Sequence, residues 1–111
     1  MKELLLILLM AQGAIAVAKA DAPAGNTTGS ALMAKYNCQS CHSLQDDPSM
    51  KGPSLHAIAH KYASAPEGRD EMESSVLNGS SGDWGSNTMP SFVIPQSELT
   101  VLITWILSKW P

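Results

Sequence analysis

Cys38-Gln39-Ser40-Cys41-His42 is the stretch from which the rest of the chain is read. It holds the protein's 2 cysteines and one of its 3 histidines. The pattern C-x-x-C-H is the attachment signature of a c-type haem. Two thiols three residues apart near a helix end can add to the two vinyl groups along one porphyrin edge. The residue that follows is then held beneath the iron, where an imidazole supplies the fifth ligand. The expectation is one covalently bound haem c, attached at Cys38 and Cys41, with His42 on its iron.

Three other readings use the same residues. A structural disulfide would close a very small loop and leave His42 unexplained. A thiol–disulfide oxidoreductase needs a thioredoxin-type βαβ framework, and no strand periodicity is present. A Cys2His2 metal module would use Cys38-x2-Cys41-x14-His56-x3-His60. Wheel geometry turns His56 and His60 away from Leu55, so both are expected as exposed surface histidines.

Around the motif the helical signals dominate. Ser30 to Asn37 reads as a helix after a capping Thr-Thr-Gly-Ser start. A second begins after Ser54, with Leu55, Ile58, Ala59 and Tyr62 at i, i+3, i+4 and i+7. A third runs from Arg69 to Leu77, burying Met72 and Val76, and Asn78-Gly79 is expected to end it with a left-handed stop. The last starts at Pro95, placed in its first turn, with Glu98 at the positive end. Its apolar stripe is Leu99, Leu102, Ile103 and Ile106. Ser80 to Ile94 reads as a long irregular loop, of the kind that commonly carries function. The fold class is all-α with long ordered loops.

An iron held by His42 needs a ligand on its other face, and methionine thioether favours the ferrous state there. Met33 and Met72 fall on helical stripes and read as core. Met50 is too near in sequence to reach round. Met89, followed by Pro90 in the long loop, remains as the second axial ligand.

The chain has 111 residues, 44% hydrophobic and only 5% aromatic, with a formal net charge of −3. That is one domain at most. Its acidity excludes the basic stripe that nucleic-acid binding requires. A small core with so few aromatics suggests that something besides side chains fills the middle. Lys2, an apolar run from Leu4, and Ala18-Lys19-Ala20 form an export signal cut after Ala20. The run is too short to span a bilayer comfortably. Residues 1–20 are therefore a signal peptide, 21–29 a flexible tail and 30–111 the functional domain, which is placed in the periplasm. Losing Lys2, Lys19 and Glu3 moves the net charge from −3 to −4.

With these residues in view, the chain resembles the short class I bacterial c-type cytochromes, periplasmic electron donors to nitrite reductases and other terminal enzymes. The resemblance is carried by Cys38-Gln39-Ser40-Cys41-His42, Lys51-Gly52-Pro53, Asn78-Gly79-Ser80-Ser81-Gly82-Asp83-Trp84-Gly85, Met89-Pro90 and the closing Leu102-Ile103-Thr104-Trp105-Ile106-Leu107-Ser108. It implies about four helices wrapped around one haem. It also implies that the Pro53 carbonyl accepts from His42 Nδ1–H and that Trp84 lies beside the haem with its indole N–H on a propionate. The competing reading of Trp84 is an ordinary core aromatic. Ser74 and Ser75 stand where several relatives carry a basic side chain, and Gln45 to Met50 is slightly longer than in the shortest members.

The function expected is one-electron carriage, not catalysis. The implied partners are a periplasmic reductase, oxidase or peroxidase and an upstream quinol-oxidising complex. A monomer without stable membrane binding is expected. A haem enzyme or gas sensor with an open sixth site is the rival. Partners should dock on a rim of small or apolar residues, namely Gln39, Ser40, Met50, Lys51, Thr88, Pro90 and Ser91.

Overall fold

The computed structural model describes residues 28–110 together with Gly13 and Ala14. Apart from those two, the leader and the tail up to residue 27 lie outside the described residues. Four α-helices carry the domain. They are α1 (Gly29–Lys35), α2 (Leu55–Tyr62), α3 (Gly68–Asn78) and α4 (Gln96–Lys109). A single 3-10 turn covers Cys38–Ser40.

Each helix starts where the sequence offers a cap or an acidic first turn. Thr28 accepts the Ala31 amide with its hydroxyl, so α1 begins at Gly29, one residue before the expected start. Thr28 and Gly29, read from sequence as the end of the tail, belong to the helix. A Cβ on Gly29 would lie 2.1 Å from Trp105 Cγ, so glycine is what lets α1 approach α4 this closely. Asn37 is the one described non-glycine residue at positive φ, 54°. It ends the first helix early and sends Cys38 into the 3-10 turn. Pro95 caps α4 from outside with extended backbone instead of occupying its first turn.

α4 packs against α1, α2 and α3. Its stripe of Leu99, Leu102, Ile103 and Ile106 is buried as expected, against Leu32 and Met33 of α1, Leu55, Ala59 and Tyr62 of α2, and Met72 of α3. Met33 and Met72 are core, as their helical positions suggested.

The loop after α3 differs from the irregular segment expected. It forms an antiparallel hairpin, β1 (Ser80–Gly82) and β2 (Gly85–Met89), with Ser80 opposite Met89. Both strands are short, polar and exposed, so no apolar alternation announced them. Gly79 takes φ 76° but ψ 172°, so the expected left-handed stop is instead an extended, glycine-only conformation. It leads straight from the helix into β1. The class remains all-α, with this hairpin its only regular sheet among the described residues.

α1 and α4 are also joined by charge. Lys35 Nζ lies 2.8 Å from Glu98 Oε1, and Tyr36 donates its hydroxyl to Glu98 Oε2. The hydrogen bond from Lys35, then that from Tyr36, hold the Glu98 carboxyl below its ordinary value. The bonds to Glu98 push Lys35 and Tyr36 above theirs. A depressed acid contributes stability above its unfolded pKa and loses it as pH falls through the folded value; the two raised groups lose theirs as pH rises. The clamp should therefore stabilise the fold most between about pH 5 and 9. Glu98→Gln is expected to lower the urea midpoint in that window and to converge on the parent only as the pH falls through the depressed Glu98 value. A deficit persisting in acid would assign the effect to packing.

Candidate functional site

The helices and hairpin enclose an apolar cavity of about 370 Å³, within the range of small-molecule and cofactor sites. Its floor is the aliphatic core of Leu55, Ile58, Leu102, Ile103 and Ile106, and Met33, Met72 and Val76 line it as well. The groups with chemistry stand on segments leaving the helices. Cys38 and Cys41 come from the 3-10 turn and its end, His42 follows directly, and Met89 closes β2; all four line the cavity.

The turn is compact because the amides of Cys41 and His42 both donate to the Cys38 carbonyl, at 3.2 and 3.0 Å. Both cysteines are free and half-buried. Burial pushes the Cys38 thiol above its ordinary value. That is opposite to the depressed thiolate that disulfide exchange chemistry uses.

His42 is oriented from two sides. Its Nδ1 lies 2.7 Å from the Pro53 carbonyl, which can only accept, so Nδ1 carries the proton and Nε2 keeps its lone pair. Gly52 donates its amide to the Cys41 carbonyl at 2.9 Å, and a Cβ there would sit 2.8 Å from His42 Cε1. Glycine is thus required beside the imidazole for space.

Met89 is held by its neighbours. Gly79 packs so close that a Cβ would come within 2.7 Å of the Met89 carbonyl, and its positive φ also demands glycine. Asn87 Nδ2 donates to the Lys51 carbonyl at 2.9 Å, tying the methionine-bearing strand to the Gly52–Pro53 loop. Phe92 N donates to Val76 O at 2.9 Å and seats the chain beyond Pro90 on α3.

Trp84 is 41% exposed, so the core-aromatic reading fails. It lines the cavity from the hairpin turn, its ring edge-on to Tyr62 at 6.4 Å and with Lys61 Nζ 4.7 Å from its centre. Of the expected rim, Ser40, Lys51, Thr88 and Pro90 border the cavity, whereas Gln39, Met50 and Ser91 lie outside its lining. His60 is exposed, but His56 is half-buried, a departure from expectation. The cause is Trp110, which meets its ring edge-on at 6.2 Å. Among the described residues, no three His, Cys, Asp or Glu side chains gather as they would around a metal ion.

Two thiols, an oriented imidazole and a thioether around one apolar cavity have the donor chemistry that a haem c requires. Residues 27–110 match the Cytochrome c family. The chain belongs to the cytochrome c family. Cytochrome c-551 of Stutzerimonas stutzeri is 35% identical over 108 residues, covering 97% of this chain and 98% of that protein. Cytochrome c-552 of Hydrogenobacter thermophilus is 35% identical over 86 residues, 77% of this chain and 86% of that one. The crystal structure of wild-type Nitrosomonas europaea cytochrome c552 superposes with a TM-score of 0.63 at 32% identity, covering 71% of this chain and 96% of its own. This cytochrome is a small class I member, and its cofactor is covalent haem c with its iron. Like its relatives, it carries electrons.

One support of the site, Asn87, bore no mark in the sequence, and Gly52 and Gly79 were marked there without the contacts they make. Asn87, the close approach of Gly79 to Met89, and the fit of Gly52 against His42 depend on contacts between distant segments. Gly52→Ala should displace the imidazole from the Pro53 carbonyl. The measured result should be a reduced yield of covalently loaded protein, with Ser64→Ala, at an exposed position, unaffected.

Proposed function

We propose that this cytochrome is an exported, periplasmic one-electron carrier whose haem is attached through Cys38 and Cys41 and held by His42 and Met89. The observation that carries this reading is the convergence of those four side chains on one apolar cavity, with the His42 tautomer set by Pro53. Bound haem supplies reversible exchange of one electron between ferric and ferrous iron.

The chain's own residues do the rest. Pro53 strengthens His42 as a donor by accepting its Nδ1–H. Met89 supplies a soft ligand that favours the reduced state. His42 and Met89 would hold the iron between them and leave no ligand place for a substrate, so the protein acts as a carrier and not as an enzyme. The aliphatic floor keeps water away and the dielectric low. Trp84, which lines the cavity from the hairpin turn, would offer its indole N–H to a propionate of the bound haem. Residues 1–20 direct export.

Gln39, Ser40, Met50, Lys51, Thr88, Pro90 and Ser91 form the docking rim. A small, weakly charged rim suits a contact below about 1,200 Å² that releases its partner quickly. An acidic carrier is steered toward a basic patch on a terminal reductase or oxidase and on the quinol-oxidising donor.

A pyridine haemochrome assay on periplasmically matured protein should return one haem c per chain. Met89→Leu is expected to abolish the near-infrared sulfur-to-iron band, and Met89→His to lower the midpoint potential by a few hundred millivolts in order of magnitude. Met72→Leu should leave the band in place, and the reverse pattern would reassign the ligand. For the rim, Met50→Glu and Thr88→Glu should slow reduction of a purified terminal reductase several-fold at nearly constant potential. Equal slowing by Glu at Ser64 and Ser108 would remove the rim from the account.

A further inference from the structure

We propose that Ser54 and Asp46 are positioning residues for the iron ligand, fixing the Pro53 carbonyl in line with His42 Nδ1. The inference rests on His42 being that ligand.

Ser54 is the one buried polar side chain among the described residues. Its hydroxyl is used twice. It accepts the Ala57 amide at 3.0 Å as the cap of α2, and it donates to Asp46 Oδ1. A cap needs only the first of these bonds. The second adds nothing to the helix's amide accounting, and it reaches back eight residues into the segment that follows His42. That segment is fastened to α2 elsewhere too, since Leu55 N donates to Ser43 O at 2.9 Å and His56 N to Leu44 O at 3.1 Å. The first amides of α2 are therefore all satisfied by this loop or by Ser54.

The consequence falls on Pro53. Its carbonyl belongs to the peptide plane shared with Ser54, so it can turn only if Pro53 ψ and Ser54 φ change together. The proline ring already fixes φ at Pro53. Ser54 is pinned at its hydroxyl by Ala57 and Asp46 and at its carbonyl by the Ile58 amide at 3.0 Å. A hydrogen bond to an ionised carboxylate is stronger than a neutral one, which suits Asp46 to this hold. With the plane immobile, the carbonyl stays 2.7 Å from Nδ1, and the imidazole keeps both its rotation and its donor strength.

The test uses the haem-loaded protein. Ser54→Ala should speed exchange of the His42 Nδ1 proton with solvent about tenfold by NMR of the ferrous form. It should also shift the ferric–ferrous balance about threefold toward ferrous, about 28 mV at 59 mV per tenfold. Ser54→Thr, which keeps the hydroxyl, should restore both. Asp46→Ala, which leaves the cap bond intact, should still speed the exchange. If Ser54→Ala lowers the melting temperature but moves neither exchange nor potential, Ser54 is a helix cap alone and the proposal falls. Unchanged exchange in Asp46→Ala would also overturn it. The ring-current shift of the His42 ring protons in the unsubstituted ferrous protein separates the two readings. If it is absent, the ligand assignment itself is wrong; if it is present while the variants are silent, only the positioning role is lost.

Discussion

A single hydrogen bond, from His42 Nδ1 to the Pro53 carbonyl, organises the ligand side of the cavity. It selects the tautomer, and the tautomer decides which nitrogen keeps a free lone pair. Much of the surrounding chain reads as a device for keeping that bond in place. Gly52 makes room for the ring, the Gly52 amide closes on Cys41, and the start of α2 clamps the segments on both sides of the proline. The helices supply a rigid frame, and the segments between them hold Cys38, Cys41, His42 and Met89. This division suits a site whose donors must meet one flat cofactor from several directions.

The sequence made the helical frame and the attachment motif legible because both obey local rules. Leu55, Ile58, Ala59 and Tyr62 share a face by spacing alone, and Cys38, Cys41 and His42 fall within five consecutive residues. Met89 stands out in the sequence as a methionine neither on a helical stripe nor close to His42, and it lines the same cavity as His42. The hairpin escaped because its residues are polar and exposed, so no alternation marks the strands. Trp110 covering His56, Glu98 joining Lys35 to Tyr36, and Asp46 meeting Ser54 escaped for a different reason. Each pairs residues whose meeting is set by how the helices pack, and no local period encodes that.

Departures from the relatives' pattern gather around the cavity mouth. Where several relatives carry a basic residue on the third helix, Ser74 here accepts from Asn78 Nδ2 and Ser75 donates to the Glu71 carbonyl. Both serines are thereby spent on their own helix. The cation nearest the Trp84 ring is Lys61 on α2, which also lies over Tyr62. The local charge on that side is therefore set by a different helix from the one the resemblance implied.

The hairpin is polar and solvent-exposed, and it is fastened to the opposite loop through the Asn87 side chain on the Lys51 carbonyl. The helical core beneath is dry and aliphatic. Two such regions do not open at the same free energy, because segments with little buried apolar area fluctuate first. The protein is thus built as a stiff half and a compliant half meeting at the cofactor. His42 is tied through the Pro53 carbonyl to the start of α2 in the stiff half, and Met89 ends a strand of the compliant one. Thermal excursions short of unfolding will loosen the Met89 side of the cavity while the His42 side stays assembled, so the two sides have different lifetimes.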